Sequence, residues 1–361
     1  MKSSIAIIGS GTMGKWHTYG YDRINEFYHD VRIEKAVMCS RDIGRLQKRA
    51  AELGWKQCAT DWRDVISRPD IDAVDISAPD AWHYPMAKAA LEYGKHVLCE
   101  KPLADTPEQA AELVALAKAK GLRCAVTTNF RYLPAMQSIR KLLQGGELGE
   151  IRHVQASFTM DWAVDPQGEM NWRLDDTLCP TGALGDLGTH WIDMCHYFGL
   201  RFTEVSGVCE VYGKKRPRGD QLVETGANEI CLFTSRFQDG AVGMFEISRV
   251  SGGGGMAIEL HGTKGNVRWE KNSMNELFIL LPEKQPNARA YQKIAANDIL
   301  KLPYPWGESF AQSDSFTLLF HNFLAGSGEY PTFEDGRKCC SVVQAVLRSS
   351  REKRTVYCSD N

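Results

Sequence analysis

The chain lacks a long hydrophobic run. Its first apolar stretch, Ile5 to Ile8, is far too short for a secretory signal or a membrane span, so a cytoplasmic protein without a membrane partner is expected. An excess of charge is also missing. The 43 Lys and Arg against 45 Asp and Glu leave a net charge of −2, which argues against nucleic acid or an anionic bilayer as partner. Paired cysteines are absent too: the eleven present are odd in number and include no C-x-x-C spacing. Several (Cys39, Cys99, Cys124, Cys195, Cys231) fall in apolar strands or helices, so they read as reduced, buried thiols and not as a disulfide framework or zinc site. No internal repeat is visible, and the one low-complexity tract is Gly252 to Gly255.

What is present is enough apolar material, 43% of 361 residues, for two domains. Residues 1–128 alternate short apolar runs with helical segments, the pattern of an α/β Rossmann domain with a doubly wound parallel sheet. The run Ser4 to Ile8 is followed at once by Gly9-Ser10-Gly11-Thr12-Met13-Gly14 and a helix. A G-x-G-x-x-G in that setting is a dinucleotide fingerprint: the glycines permit a tight turn and close pyrophosphate approach, and the helix N-terminus supplies donors. The second strand, Ile33 to Cys39, ends not on an acidic residue but on Ser40-Arg41-Asp42. Arg41 suits a 2′-phosphate or the adenine face, while Asp42 suits the ribose or the start of the next helix. NAD is favoured and NADP stays open.

A third feature is His96 to Cys99, a buried strand that delivers Lys101 to its C-terminal edge, where open α/β sheets bind ligands. Pro102 stops the strand. Thr106 is expected to cap the next helix, with Pro107 at its first position and Gln109 completing a capping box.

Residues 129–361 change texture. Strands are expected at 151–159, 204–212, 228–237, 241–248, 256–261, 266–269 and 276–281, with hairpin turns at Gln238-Asp239-Gly240 and Gly262 to Gly265. These make an α+β domain with a large, mostly antiparallel open sheet. Helices near 183–198 and 336–351 would cover one face. Apolar residues in both registers, as in Ile230-Cys231-Leu232-Phe233, point to a homo-oligomer joined sheet to sheet. Between the first two of these strands lies a loop with Trp162 and Trp172, then a helix opening on Gly185-Asp186-Leu187-Gly188-Thr189-His190. Asp186 and His190, four apart, share a face. An aspartate that holds an imidazole makes a general base near neutral pH; a capping aspartate beside a surface histidine is the plainer reading. No further ligand stands at zinc-like spacing, so no metal is expected.

These residues resemble the family of glucose–fructose oxidoreductase and inositol dehydrogenase. The matching stretches are Gly9 to Gly14 with His17, Glu100-Lys101-Pro102, Asn129-Phe130-Arg131, Gly185 to His190, and the hairpin His261 to Gly265, in the family's order through almost the whole chain. The segment from Asp161-Trp162 through Trp172-Arg173 to Asp186 is most similar to the family's levoglucosan dehydrogenases and glucoside 3-dehydrogenases. Two departures bear on the cofactor: Asp80 stands where the family usually has Asn between Pro79 and His83, and the acidic residue after the second strand is missing.

The resemblance implies a cofactor site of Gly9, Gly11, Thr12, Met13, Gly14, Ser40, Arg41, Pro79, His83, Glu100, Lys101 and Asn129. It implies a catalytic set of Lys101, Asp186 and His190 facing the nicotinamide across the domain cleft. The implied reaction is oxidation of a secondary hydroxyl of a glucoside or related pyranose, C3 foremost, by hydride transfer. His190, supported by Asp186, would take the hydroxyl proton, and Lys101 would stabilise the oxygen. Trp162 and Trp172 would stack on a sugar face or aglycone, or else pack in the core; Tyr132 and Asp161 would meet hydroxyls. Rival readings are an inositol dehydrogenase, an NAD-assisted glycosidase working through a 3-keto intermediate, an enzyme that recycles a tightly held cofactor between two sugars, and a non-enzymatic nucleotide sensor.

Overall fold

The computed structural model describes residues 2–282, 290–300 and 310–358. The chain forms two compact units, Met1–Tyr132 with Tyr304–Arg337, and Leu133–Pro303 with Lys338–Asn361.

Six parallel strands build the first unit: β1 (Lys2–Ile8), β2 (Arg32–Cys39), β3 (Gln57–Ala59), β4 (Ala73–Ile76), β5 (His96–Cys99) and β6 (Cys124–Val126), in the order β3-β2-β1-β4-β5-β6. The order reverses beside β1, the switch point at which such sheets bind nucleotides. β1 is apolar without alternation because both faces are covered: Ile5, Ala6 and Ile7 are fully buried. The crossovers are α1 (Thr12–Phe27), α2 (Ile43–Glu52), α3 (Trp62–Ile66), α4 (His83–Glu92) and α5 (Pro107–Lys120). The Thr106 side chain accepts the Gln109 amide at 3.3 Å, as the sequence predicts, but the Gln109 side chain takes the amide of Asp105, one residue before the cap. The edge strand β3, three residues long, carries too little pattern to be read from sequence.

The first unit also takes in the helix Gln312–Ala325, where a single boundary at 128/129 was expected. The reason is packing. Phe316, Leu319, Phe320 and Phe323 join Tyr21 and Ile24 of α1 in one core cluster with Ile5 and Ile7. Gly20 of α1 makes room, since a Cβ there would stand 3.1 Å from the Phe320 ring. A return across nearly two hundred residues leaves no local signal.

The second unit opens with α6 (Pro134–Gln144), and among the described residues it holds a nine-stranded sheet of β7 (Ile151–Thr159), β8 (Phe202–Glu210), β11 (Ile230–Phe237), β12 (Val242–Ser248), β13 (Gly255–Gly262), β14 (Asn266–Glu270), β15 (Glu276–Leu280), β16 (Gln292–Ala295) and β17 (Val356–Tyr357). Its order is β16-β15-β14-β13-β7-β12-β11-β8-β17, antiparallel except for the parallel pair β7 and β12. A separate hairpin, β9 (Lys215–Arg218) and β10 (Gln221–Glu224), was not foreseen; its mostly exposed, charged residues carry no apolar alternation.

One face of the sheet is covered. A Cβ on Gly188, just before α7 (Thr189–Tyr197), would press on Leu184 and Ile247, and one on Gly207 would strike Val346 of the helix Phe333–Glu352. The other face leaves Val208, Leu232 and Met244 about half exposed. Among the described residues no helix is long and apolar enough to cross a membrane.

Candidate active site

The glycine loop follows β1 directly. Gly9 has φ +131, a conformation that L side chains avoid, and a Cβ there would overlap the Ser77 carbonyl; a Cβ on Gly14 would overlap the carbonyl of Gly9. Gly11, by contrast, has nothing within 4 Å of where its Cβ would be. It is the N-cap of α1, and no side chain caps the helix there. Thr12 and Met13 therefore open a helix whose first-turn amides receive no side-chain cap, the arrangement that receives a pyrophosphate. The loop thus fits a dinucleotide on its own geometry.

Elsewhere in this unit the structure redistributes the expected cofactor residues. Asp42 caps α2, accepting the Arg45 amide at 3.1 Å, while Arg41 is exposed beside half-buried Ser40. Pro79 starts a short turn. His83 is buried, and its two ring nitrogens lie 2.7 and 2.9 Å from the carbonyl oxygens of Pro102 and Ala78. His83 thereby ties the loop after Lys101 to the end of β4. Asn129 is likewise turned to the protein, donating from Nδ2 to Ser315 Oγ at 2.7 Å. Tyr132 belongs to the core cluster and gives its hydroxyl to the Glu329 carbonyl at 2.6 Å. That bond engages the hydroxyl expected to meet a substrate within the protein.

Lys101 is half-buried at the end of β5, and its peptide bond to Pro102 is cis. Its neighbour Glu100 enters a buried cluster that the sequence reading did not assemble. Nδ1 of His17 lies 2.9 Å from Asp75, and Nε2 lies 3.0 Å from Glu100. Burial would lower the His17 pKa, but the Asp75 charge and the bonds to both carboxylates raise it to about 10. Burial likewise opposes the Glu100 charge, yet the His17 bond outweighs it and holds this carboxyl at about 2.

In the second unit, Asp186 and His190 lie where a π-helical turn, Leu184–Gly188, runs into α7. Such wide turns in helices recur at functional sites. Asp186 is met by two arginines: Arg249 donates from Nη2 to Oδ2 at 2.9 Å, and Arg173 Nε lies 3.3 Å from the same oxygen. Arg249 is fully buried. Burial works against its charge, but Asp186 and then Cys179 outweigh it and its pKa rises above the ordinary arginine value. It also donates to the Arg173 and Gly182 carbonyls at 2.6 and 3.2 Å, fixing the loop that carries the second arginine.

Both arginines carry an expected tryptophan. Arg249 lies 5.5 Å from the Trp162 ring and Arg173 lies 4.3 Å from the Trp172 ring, so the indoles are bound to the site by cation–π contact. Trp162 is 36% exposed and Trp172 is partly exposed, which leaves surface available to a ligand. Asp161 is exposed beside them. His190 is buried next to Phe158, whose ring centre is 5.8 Å away. The decisive residue missed from sequence is Arg249. Its one signal is an arginine closing an apolar strand just before Gly252 to Gly255. Among the described residues no group of His, Cys, Asp and Glu is placed to hold a metal.

Comparison with known proteins agrees with this architecture. Residues 3–128 match the oxidoreductase family with an NAD-binding Rossmann fold, and residues 136–268 match the GFO/IDH/MocA C-terminal domain. The chain belongs to the GFO/IDH/MocA family of oxidoreductases. Residues 3–128 are the family's NAD-binding domain, and the protein is an enzyme of that class. An oxidoreductase domain protein from Kribbella flavida is 32% identical with a TM-score of 0.92, each chain covered in full. Levoglucosan dehydrogenase of Pseudarthrobacter phenanthrenivorans is 27% identical over 98% of this chain and 97% of its own. A structure of levoglucosan dehydrogenase with NADH and L-sorbose superposes with a TM-score of 0.93 at 28% identity, covering all of both chains. D-Glucoside 3-dehydrogenase of Escherichia coli is 29% identical over 56% of each chain.

Proposed function

We propose that this protein is an NAD-dependent sugar dehydrogenase that oxidises a secondary hydroxyl of a glucoside or related pyranose, at C3, to the ketone. The observation that carries the reading is the group around Asp186: two arginines on one carboxylate, each with a tryptophan on its guanidinium, four residues before His190. Flat indoles held beside charged donors suit a pyranose, which has an apolar face and a rim of hydroxyls. Names of relatives that act on levoglucosan and on D-glucosides support the same class.

Bound NAD supplies the hydride acceptor. His190 takes the proton of the reacting hydroxyl, a contribution of about 10²–10⁴ in rate. Lys101 donates to the same oxygen and stabilises the negative charge it gains. Asp186 orients the helix start that carries His190, with Arg249 and Arg173 as its counter-charges. Trp162 and Trp172 hold the ring in register, and Asp161 meets an outer hydroxyl. A second copy of the chain covers the sheet face with Val208, Leu232 and Met244, where β8, β11 and β12 are adjacent; a monomer by light scattering at micromolar concentration removes that part of the reading.

The test is a panel of levoglucosan, other glucosides, free hexoses and inositols, each with NAD⁺ and with NADP⁺. Reduced nicotinamide is followed by absorbance and the product ring position by NMR. NAD-dependent formation of a 3-keto glucoside is expected. Turnover confined to inositols, or release of the aglycone in step with oxidation, would replace this reading with one of its rivals.

A further inference from the structure

We propose that His17, buried in the nucleotide-binding unit, is the positioning residue for Lys101, acting through Glu100; the inference rests on the role given to Lys101 above. His17 lies on α1 and is wholly enclosed. Its Nδ1 faces both Asp75 oxygens at 3.0 and 2.9 Å, and its Nε2 faces Glu100 Oε1 at 3.0 Å. A neutral imidazole has one N–H and one lone pair, so one of its two sides would set a lone pair against a carboxylate. Only the imidazolium, a donor at both nitrogens, satisfies both neighbours. The raised His17 pKa and the lowered Glu100 pKa agree with that assignment.

The remaining neighbours complete the cage. Tyr21 donates its hydroxyl to Asp75 Oδ2 at 2.6 Å, Thr127 donates to Glu100 Oε1 at 2.5 Å, and the rings of Phe316 and Phe320 close the outer side at 5.1 and 4.9 Å. The buried charges are therefore two carboxylates and one imidazolium, a net −1, and the next residue along the chain, Lys101, supplies the balancing cation. Glu100 is the link. Its side chain is gripped by His17, its Oε2 accepts the Lys101 amide at 3.3 Å, and the Lys101 charge in turn helps hold its carboxyl ionised. With His17 uncharged, two buried carboxylates would share the cluster with no cation between them. One of them would take up a proton near neutral pH, and Glu100 would lose the charge-assisted bond that sets the start of the Lys101 loop.

Steady-state kinetics on His17→Gln and Glu100→Gln test this, beside Lys101→Ala and Phe323→Leu. The last loosens the same core without touching a charge. Both glutamine variants are expected to lose roughly tenfold or more in kcat, with NAD Kd and sugar KM within about twofold, and to gain a new ionisation in the pH–rate profile. Phe323→Leu keeps its kcat and profile. Should His17→Gln fail to fold, ¹⁵N NMR of the wild type decides: both ring nitrogens of His17 protonated from pH 6 to 9 supports the inference, and a neutral ring overturns it. Normal kcat and pH profile in both glutamine variants, with Lys101→Ala inactive, overturn the inference and leave the role of Lys101 standing. An equal loss in Phe323→Leu overturns it as well, by reducing the effect to loosening of the core. Full activity in Lys101→Ala overturns the reading on which it rests.

Discussion

Two buried carboxylates adjoin the residues proposed to do the chemistry, Glu100 before Lys101 and Asp186 four residues before His190, and they are neutralised in different ways. Glu100 is matched by His17, a cation that exists only because two carboxylates surround it. Asp186 is matched by Arg249 and Arg173, whose charge is fixed over the whole working range. The polar groups of the first cluster are drawn from α1, β4 and the ends of β5 and β6, elements of one sheet and its first crossover helix, with Phe316 and Phe320 of helix Gln312–Ala325 closing it. The second depends on an arginine at the end of β12 and on an irregular loop. An imidazolium cluster stores its balance in a proton and must answer to pH, whereas a guanidinium cluster does not.

The sharpest way to break this comparison is to remove the fixed charge. Arg249→Leu takes the fully buried counter-charge from Asp186 and leaves the partly exposed Arg173, and it should cost about 3–5 kcal/mol of stability in urea unfolding. A loss below about 1 kcal/mol would mean that the pair is not what holds this loop.

Next in size are the reacting groups. His190→Ala and Lys101→Ala should each lower turnover at least a hundredfold, about 2.7 kcal/mol of transition-state stabilisation. Near-normal kcat in either removes the role assigned to it.

The gentlest test is titration. The folded pKa of His17, about 10, lies above the ordinary value of 6.5. Its contribution to stability is therefore fully present below pH 6.5 and lost as pH rises through about 10. For Glu100 the sign is opposite: a folded value of about 2 against 4.5 gives stability present above pH 4.5 and lost as pH falls through about 2. Urea midpoints taken from pH 7 to 10.5 should decline in the wild type and decline less in His17→Gln. Parallel curves for the two proteins would show that the His17 proton is not the one released.

Much of the first cluster's frame was legible because it is written locally. β1, the glycine loop and α1 follow one another without a gap, and Thr106 caps α5 through its own neighbour Gln109. The strands of the second unit were legible as apolar runs between turn residues, and β11 shows why its two registers are both apolar: Cys231, Phe233 and Phe237 are buried while Leu232, on the other face, is 47% exposed. The partners were not legible. His83, Asn129 and Tyr132 carry polar atoms that a sequence can assign to a ligand as readily as to the protein, and the structure gives them Pro102, Ser315 and Glu329. Arg249 lies sixty-three residues from the carboxylate it neutralises, and nothing in its surroundings names that partner.

The sequence by itself determined the alternating strands and helices of the first unit, the nucleotide loop and most strands of the large sheet, because these depend on backbone preference, periodicity and spacing within about twenty residues. Only the tertiary structure decided that helix Gln312–Ala325 belongs to the first unit, that His17 lies between Asp75 and Glu100, and that Asp186 answers to Arg249. Burial raises the cost of an unmatched charge until a partner must be found, and the chain can bring that partner from any distance.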